Sequence, residues 1–166
     1  NLKIIILDNF SNSKIKNFDI ALSFVGKIIK KRNMERLVKT NLGTVHINIV
    51  KGDIQNKKLV EKVCRNVNCI VHLAAQTGVI PSIKNPLQNM KINLEGTLNL
   101  LEASRKMKIN RFIFASSMGV LGGSKIQSED SLLEPLNPYA AGKSSIENYL
   151  KVYKELFNIE TFILRF

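Results

Sequence analysis

Apolar and polar positions follow two rhythms along this chain. Leu2–Leu7 is a continuous run of β-prone apolar residues closed by Asp8, which predicts a strand buried on both faces. Beyond a polar loop, Phe18 to Leu37 places Ile20, Ala21, Phe24, Val25, Ile28 and Ile29 near helical period, with a basic opposite face, and predicts a helix. Thr44–Val50 alternates as a strand running into Gly52 and Asp53. A short helix over Leu59–Val67 and a buried strand over Asn68–Ala75 follow. Pro86 to Met107 reads as one long helix with Met90, Leu94, Leu98 and Leu101 facing inward. Arg111–Ser117 is a strand finishing in hydroxyls, Tyr139–Phe157 a helix, and Glu160–Phe166 a last strand.

Strands alternating with helices, the strands apolar throughout, predict an α/β fold with a doubly wound parallel sheet covered on both faces. Such sheets take ligands at the carboxyl ends of their strands. Polar residues collect there: Asp8, Asn9, Asp53, Gln76, Ser116 and Ser117. A chain of 166 residues suits one domain, and its 45% hydrophobic and 23% charged residues suit a globular one. No apolar run is long enough for a membrane span, so no membrane partner is expected. The opening NLKIIILDN has none of the marks of a secretory leader, and Cys64 and Cys69 form neither a disulfide framework nor a metal-ligand spacing. A cytoplasmic protein is expected.

The net charge is +12, yet the basic residues are spread out, with one tight run at Lys27–Arg32. Aromatic residues are not interleaved with them, as a platform for nucleic-acid bases would require. The charge reads as solvated surface with some advantage for anionic substrates, and no nucleic-acid partner is expected.

Several residues could carry chemistry. Asp8 is either a turn residue or an acceptor for ribose hydroxyls, and Asp53 either a helix N-cap or a nucleotide contact. Tyr139 and Lys143 stand four apart at the start of a helix, so they share a face. A nearby ammonium favours the phenolate and lowers the phenol pKa toward that of a usable general base. Ser117 could hydrogen-bond a reacting hydroxyl. His46 and His72 lie within strands and read as packing residues, and both cysteines as buried thiols.

These pieces, together and in order, resemble the extended short-chain dehydrogenase/reductase family, and within it the NAD-dependent nucleotide-sugar epimerases. The resemblance rests on Leu7–Ser13 (LDNFSNS), Gly52–Ile54 (GDI), His72–Ile83 (HLAAQTGVIPSI), Asn93–Ala103 (NLEGTLNLLEA), Arg111–Ser117 (RFIFASS), Pro138–Glu147 (PYAAGKSSIE) and Leu164–Phe166 (LRF). It implies a Rossmann-like NAD-binding domain over residues 1–166 and 4-epimerisation of a nucleotide sugar, a UDP-sugar above all, through a transient keto sugar. By the same likeness Tyr139 moves the proton of the sugar hydroxyl. Lys143 holds the nicotinamide ribose, and Ser117 orients the hydroxyl. Asp8, Asn9, Asn12 and Ser13 would hold the adenosine ribose, and Asp53 with Ile54 the adenine. Leu73, Ala74, Ala75, Gln76 and Asn93 would line the cofactor groove. A homodimer through helices 86–107 and 139–157 is also implied.

Departures narrow the reading. Related 4,6-dehydratases carry Thr-Asp-Glu where this chain has Ser117-Met118-Gly119, which favours epimerisation over loss of water. Leu121 precedes Gly122 in a segment where many epimerases have a tyrosine, and the 11–43 segment is longer than is usual in the family. These 166 residues hold no glycine-rich strand-turn for the pyrophosphate and stop before the place of the family's substrate lobe. With strand order 3-2-1-4-5-6, the absent strand would sit between the first and third strands predicted here. Together with Asn1 in place of Met, this leads us to expect a piece of a longer polypeptide that is inactive alone. A keto-sugar reductase or dehydratase of the same family, and a non-catalytic Rossmann-like binding protein, remain as alternatives.

Overall fold

A computed structural model describes residues 2–123 and 128–166. The chain forms two compact units, Asn1–Asp53 and Ile54–Phe166. The first holds a four-stranded sheet and the second a three-stranded one.

In the first unit, β1 (Leu2–Asp8) pairs in parallel with β4 (Gly43–Lys51), from Leu2 opposite Val45 to Asp8 opposite Lys51. The helix predicted over Phe18–Leu37 is overturned. Helix α1 covers Ile15–Val25 only, and β2 (Lys27–Arg32) and β3 (Glu35–Thr40) make an antiparallel hairpin that adds to β4. Gly26 stops the helix where the chain presses against the Lys39 carbonyl, leaving no room for a Cβ. Asn33 then turns the chain back at φ 47°. Lys27–Arg32 has a mixed apolar and basic pattern that suits the short, lysine-bearing edge of a sheet as well as it suits a helix.

Val38, Ile47 and Ile49 form the core of this unit, with Ile6, Phe10, Leu22 and Ile28 packed against it. Ile20, Phe24 and Val25, expected to face inward, are exposed instead. So are Leu2, Ile4 and Ile5, because β1 is a sheet edge rather than a strand covered on both faces. A buried Arg36 ties hairpin to helix. Its guanidinium donates to the Asp19 carboxylate, and Lys31 bonds the same group. Arg36 holds the Asp19 carboxyl below its ordinary pKa, burial opposes this, and Lys31 assists.

In the second unit β5 (Cys69–His72), β6 (Arg111–Ser116) and β7 (Glu160–Arg165) are parallel in that order, with β5 at an edge. Helix α2 spans Lys57–Val63, capped by the Asn56 side chain. The remaining helices are α3 (Val79–Lys84), α4 (Pro86–Met90), α5 (Gly96–Met107) and α6 (Pro138–Phe157). A π-helical turn, Lys91–Glu95, joins α4 to α5, so the predicted long helix is continuous but changes pitch midway. That shift of phase explains a second difference. Met90 is exposed, and Asn89, Asn93, Thr97, Leu100 and Leu101 take the inward face. Phe112, Phe114, Leu101, Ile109, Ile146 and Leu150 fill the core.

Candidate functional site

In the first unit, the carboxyl ends of β1 and β4 are stitched together. The Gly52 N–H donates to the Asp8 carbonyl at 2.9 Å, and Asn9 Nδ2 to Asp53 Oδ2 at 2.8 Å. Asp8 Oδ1 accepts the Phe10 N–H at 2.6 Å, and Asn9 Oδ1 the Ser11 N–H at 3.0 Å, two successive side-chain-to-backbone turns. Asp8 therefore acts as a turn residue, a role compatible with a second acceptor task since a carboxylate takes several hydrogen bonds. Asp53 is no helix cap, because Asn56 caps α2. Asn12 is exposed and Ser13 half-buried in the loop that leads to α1.

The second unit brings together the end of β5, the end of β6 and the first turns of α6. Asn137 caps α6 by accepting the Ala140 N–H, and Pro138 starts it, which sets Tyr139 in the first turn. Tyr139 is half-buried, and Lys143, one turn on, is only 3% exposed. The Lys143 Nζ lies 5.7 Å from the centroid of the Tyr139 ring and 4.5 Å from that of Phe114, and donates to the Ala115 carbonyl at 2.7 Å. Burial lowers the Lys143 pKa from 10.5 to about 8. Burial also raises Tyr139 above 10, so the expected acidified phenol does not hold here. The ammonium faces the ring and donates to a carbonyl, and desolvation of the phenolate sets the direction of the shift.

Ser117 follows β6, and its Oγ accepts the Gly119 N–H at 3.2 Å, capping a 3₁₀ turn over Met118–Leu121. A Cβ added at Gly119 would meet both Ser117 Oγ at 3.5 Å and Ala140 Cβ at 3.7 Å, so this turn packs on the start of α6. At the end of β5, Leu73 and Ala74 are exposed, and Ala75 and Gln76 half-buried. Asn93 clamps Gln76 from both sides, its Oδ1 accepting the Gln76 N–H at 2.7 Å and its Nδ2 donating to the Gln76 carbonyl at 3.0 Å. The π turn aims Asn93 at this loop. Ile54 is buried, and Gly96 on α5 leaves no room for a Cβ beside it.

Several residues around this site escaped the sequence reading. Asn89 also donates to the Gln76 carbonyl. His72 is more than packing. Thr97 Oγ1 donates to the Asn93 carbonyl, so it accepts from His72 Nε2–H at 2.8 Å, which assigns the tautomer. Burial, then the Lys143 charge, depresses His72 to about 3, so the imidazole stays neutral. His46, by contrast, is exposed. Cys64 is buried, while Cys69 is only half-buried. The fully buried Glu147 and the half-buried Arg165 form an ion pair between α6 and β7. A signal for Glu147 was present, since positions 139, 143 and 147 repeat at helical spacing on one face.

Residues 22–166 match the family model for GDP-mannose 4,6 dehydratase. The chain belongs to that family. Within the GDP-mannose 4,6 dehydratase family it is 36% identical to a putative UDP-glucose 4-epimerase of Methanocaldococcus jannaschii, over 89% of this chain and 52% of that protein. It is 30% identical to a dTDP-D-glucose 4,6-dehydratase of Dictyostelium discoideum, over 99% of this chain and 39% of that protein. Among solved structures, the UDP-glucose 4-epimerase of Thermus thermophilus in complex with NAD is similar with TM-score 0.77 and 28% identity, covering 97% of this chain and 46% of that one. The dTDP-glucose 4,6-dehydratase of Streptomyces venezuelae with NAD bound is similar with TM-score 0.79 and 25% identity, covering 98% and 45%. The chain thus spans about half the length of these relatives. The resemblance to NAD-dependent nucleotide-sugar enzymes and the Rossmann-like α/β class are borne out. Among the described residues, no helix is long and apolar enough to cross a membrane.

Proposed function

We propose that this chain is part of the NAD-binding domain of a nucleotide-sugar 4-epimerase acting on a UDP-sugar. The observation that carries the reading is the buried Lys143 ammonium facing the Tyr139 ring, beside the strand end that bears Ser117. The donor set suits NAD. Lys143 gives the Ala115 carbonyl one of its three N–H donors, leaving capacity for a ribose diol. The Asp8 carboxylate, at the end of β1, has capacity for ribose hydroxyls and would repel a ribose phosphate, which favours NAD over NADP. In this reading Asn9, Asn12 and Ser13 serve the same ribose, Asp53 and Ile54 the adenine, and the loop from Leu73 to Gln76, clamped by Asn93, lines the groove.

Held by Lys143 and Asp8, NAD would supply the acceptor for the hydride of the sugar carbon and the donor for its return to the other face. Tyr139 takes the proton from the O4 hydroxyl and later gives it back. To take that proton Tyr139 first releases its own to solvent, against burial that holds the phenol above its ordinary pKa, and the ammonium one turn away reduces the cost of the phenolate so formed. Ser117 orients the same oxygen as hydroxyl and as ketone. Elimination of water would need an additional acid and base, and the two positions after Ser117, Met118 and Gly119, carry no carboxyl. This favours epimerase over dehydratase.

Proton NMR of the intact protein with UDP-glucose and NAD tests the reading. The 4-epimer is expected, with no net reduction of NAD. A 4-keto-6-deoxy product would point to the dehydratase instead, and steady NAD reduction or NADH consumption to an oxidoreductase. Leu87 and Met90 on α4 and Tyr149, Val152 and Leu156 on α6 are exposed, which supports a homodimer through helices 86–107 and 139–157. Sedimentation of Val152→Asp, expected to be monomeric, checks this. Two free cysteines accord with a cytoplasmic setting.

A further inference from the structure

Behind the candidate site lies a charged cluster that the proton transfer does not use. Glu147, on α6 one turn beyond Lys143, is fully buried. Arg165, near the end of β7, donates to it through Nε at 3.1 Å and Nη2 at 2.8 Å, a two-pronged contact. Ser116 Oγ donates to the same carboxylate at 2.6 Å, and Arg165 Nη1 reaches the Glu129 carbonyl at 3.0 Å. The carboxylate thus accepts three hydrogen bonds from two elements, and the guanidinium joins a third.

Burying an ion pair is a poor way to gain stability, since apolar residues of the same volume often do as well or better. Apolar contacts, however, allow a helix to slide or roll, whereas a forked guanidinium–carboxylate contact fixes distance and angle. The placement makes that rigidity useful. Ala115 and Ser116 are consecutive on β6. The first holds Lys143 through its carbonyl and the second holds Glu147 through its hydroxyl, so two clips one helical turn apart grip α6. The residue that follows β6 is Ser117, and the turn of α6 before Lys143 carries Tyr139.

We propose that Glu147, with Arg165 and Ser116, is a positioning group that locks α6 in register against the end of β6 and so keeps Tyr139, Lys143 and Ser117 in working alignment. This rests on the epimerase reading for its catalytic consequence, and on geometry alone for the lock. Loosening the lock admits water to Lys143. Its amine, buried at a pKa of about 8, then titrates closer to 10.5. Removing the Glu147 charge by itself would act in the opposite direction, since a lysine losing a neighbouring anion becomes more acidic. An upward shift therefore reads lost packing rather than lost charge.

The experiment uses the intact protein with NAD, comparing wild type, Glu147→Gln, Ser116→Ala, Arg165→Met and Arg165→Lys. Lys143 is followed by NMR titration of ¹³C-labelled lysine, and turnover by steady-state kinetics with UDP-glucose. Glu147→Gln is expected to raise the Lys143 pKa and to lower kcat about 10- to 100-fold with KM nearly unchanged, as misplacement by about an ångström can do. Ser116→Ala should move both readouts less, and Arg165→Lys, which keeps the charge, should restore part of the loss seen in Arg165→Met. If Glu147→Gln does not fold, Ser116→Ala decides. The proposal is overturned if Lys143 titrates as in wild type, or if kcat is retained in an active protein. Should wild type convert no UDP-glucose, the epimerase reading fails, and the Lys143 titration still decides the lock.

Discussion

Replacing Lys143 by methionine should make the protein more stable near neutrality. The folded state holds the Lys143 pKa down from 10.5 to about 8 because the ammonium is buried. At about 1.4 kcal/mol per tenfold, that depression costs the folded protein about 3 kcal/mol wherever the amine is charged in both states. Methionine has similar length and no charge to desolvate. It leaves the Ala115 carbonyl without its donor, a loss of about 1 kcal/mol. A net gain of about 2 kcal/mol at pH 7 follows. The unfolded lysine binds its proton up to 10.5 and the folded one only to about 8, so wild-type stability climbs with pH across that window. The advantage of Lys143→Met should therefore shrink by about 2 kcal/mol between about pH 7 and 9.5, and the difference between two proteins cancels the titration of every other group. Urea unfolding of both at each pH, followed by far-ultraviolet circular dichroism, measures it. A variant less stable than wild type at pH 7, with a gap that does not change with pH, would refute the buried-ammonium reasoning.

Other outcomes follow from the same contacts. Asp19→Asn leaves the buried Arg36 guanidinium without its counter-ion and should destabilise the first unit by about 3 kcal/mol. Faster amide exchange in β2 and β3 would show it, and wild-type protection would contradict it. Because Asp19 is held below its ordinary pKa, that protection should in wild type be present near neutrality and lost as acid protonates the carboxyl. In the intact protein, kcat should fall as the pH rises through about 8, where the ammonium facing Tyr139 discharges. A rate that keeps rising to about pH 10 would mean the Lys143 charge is not used.

Much of the second unit was legible in the sequence because its signals are local. Apolar strand runs, the helical run over Tyr139–Phe157 and the four-residue spacing of Tyr139 and Lys143 each depend on neighbours along the chain. The hairpin over 27–40 was not legible. Lys27–Arg32 carries isoleucines that fit either period, and the tie that decides is Arg36 to Asp19, a contact between residues seventeen apart. Asn89 and Asn93 were partly hidden because the π turn rotates the helix face, so periodicity assigned the inside to Met90. Glu147 and Arg165 pair only through the fold, since α6 returns to β7 before they meet. The phenol of Tyr139 shows a limit of another kind. Spacing revealed the ammonium beside it, but burial, which spacing does not measure, controls the direction of its pKa.

Tyr139→Phe in the intact protein tests the central chemistry most directly, because it removes one oxygen and leaves the ring against Lys143. With UDP-glucose and NAD, kcat for conversion to the 4-epimer should drop by about 10²- to 10⁴-fold, while the nucleotide sugar binds as tightly as before. A rate within about threefold of wild type would show that the Tyr139 hydroxyl moves no proton.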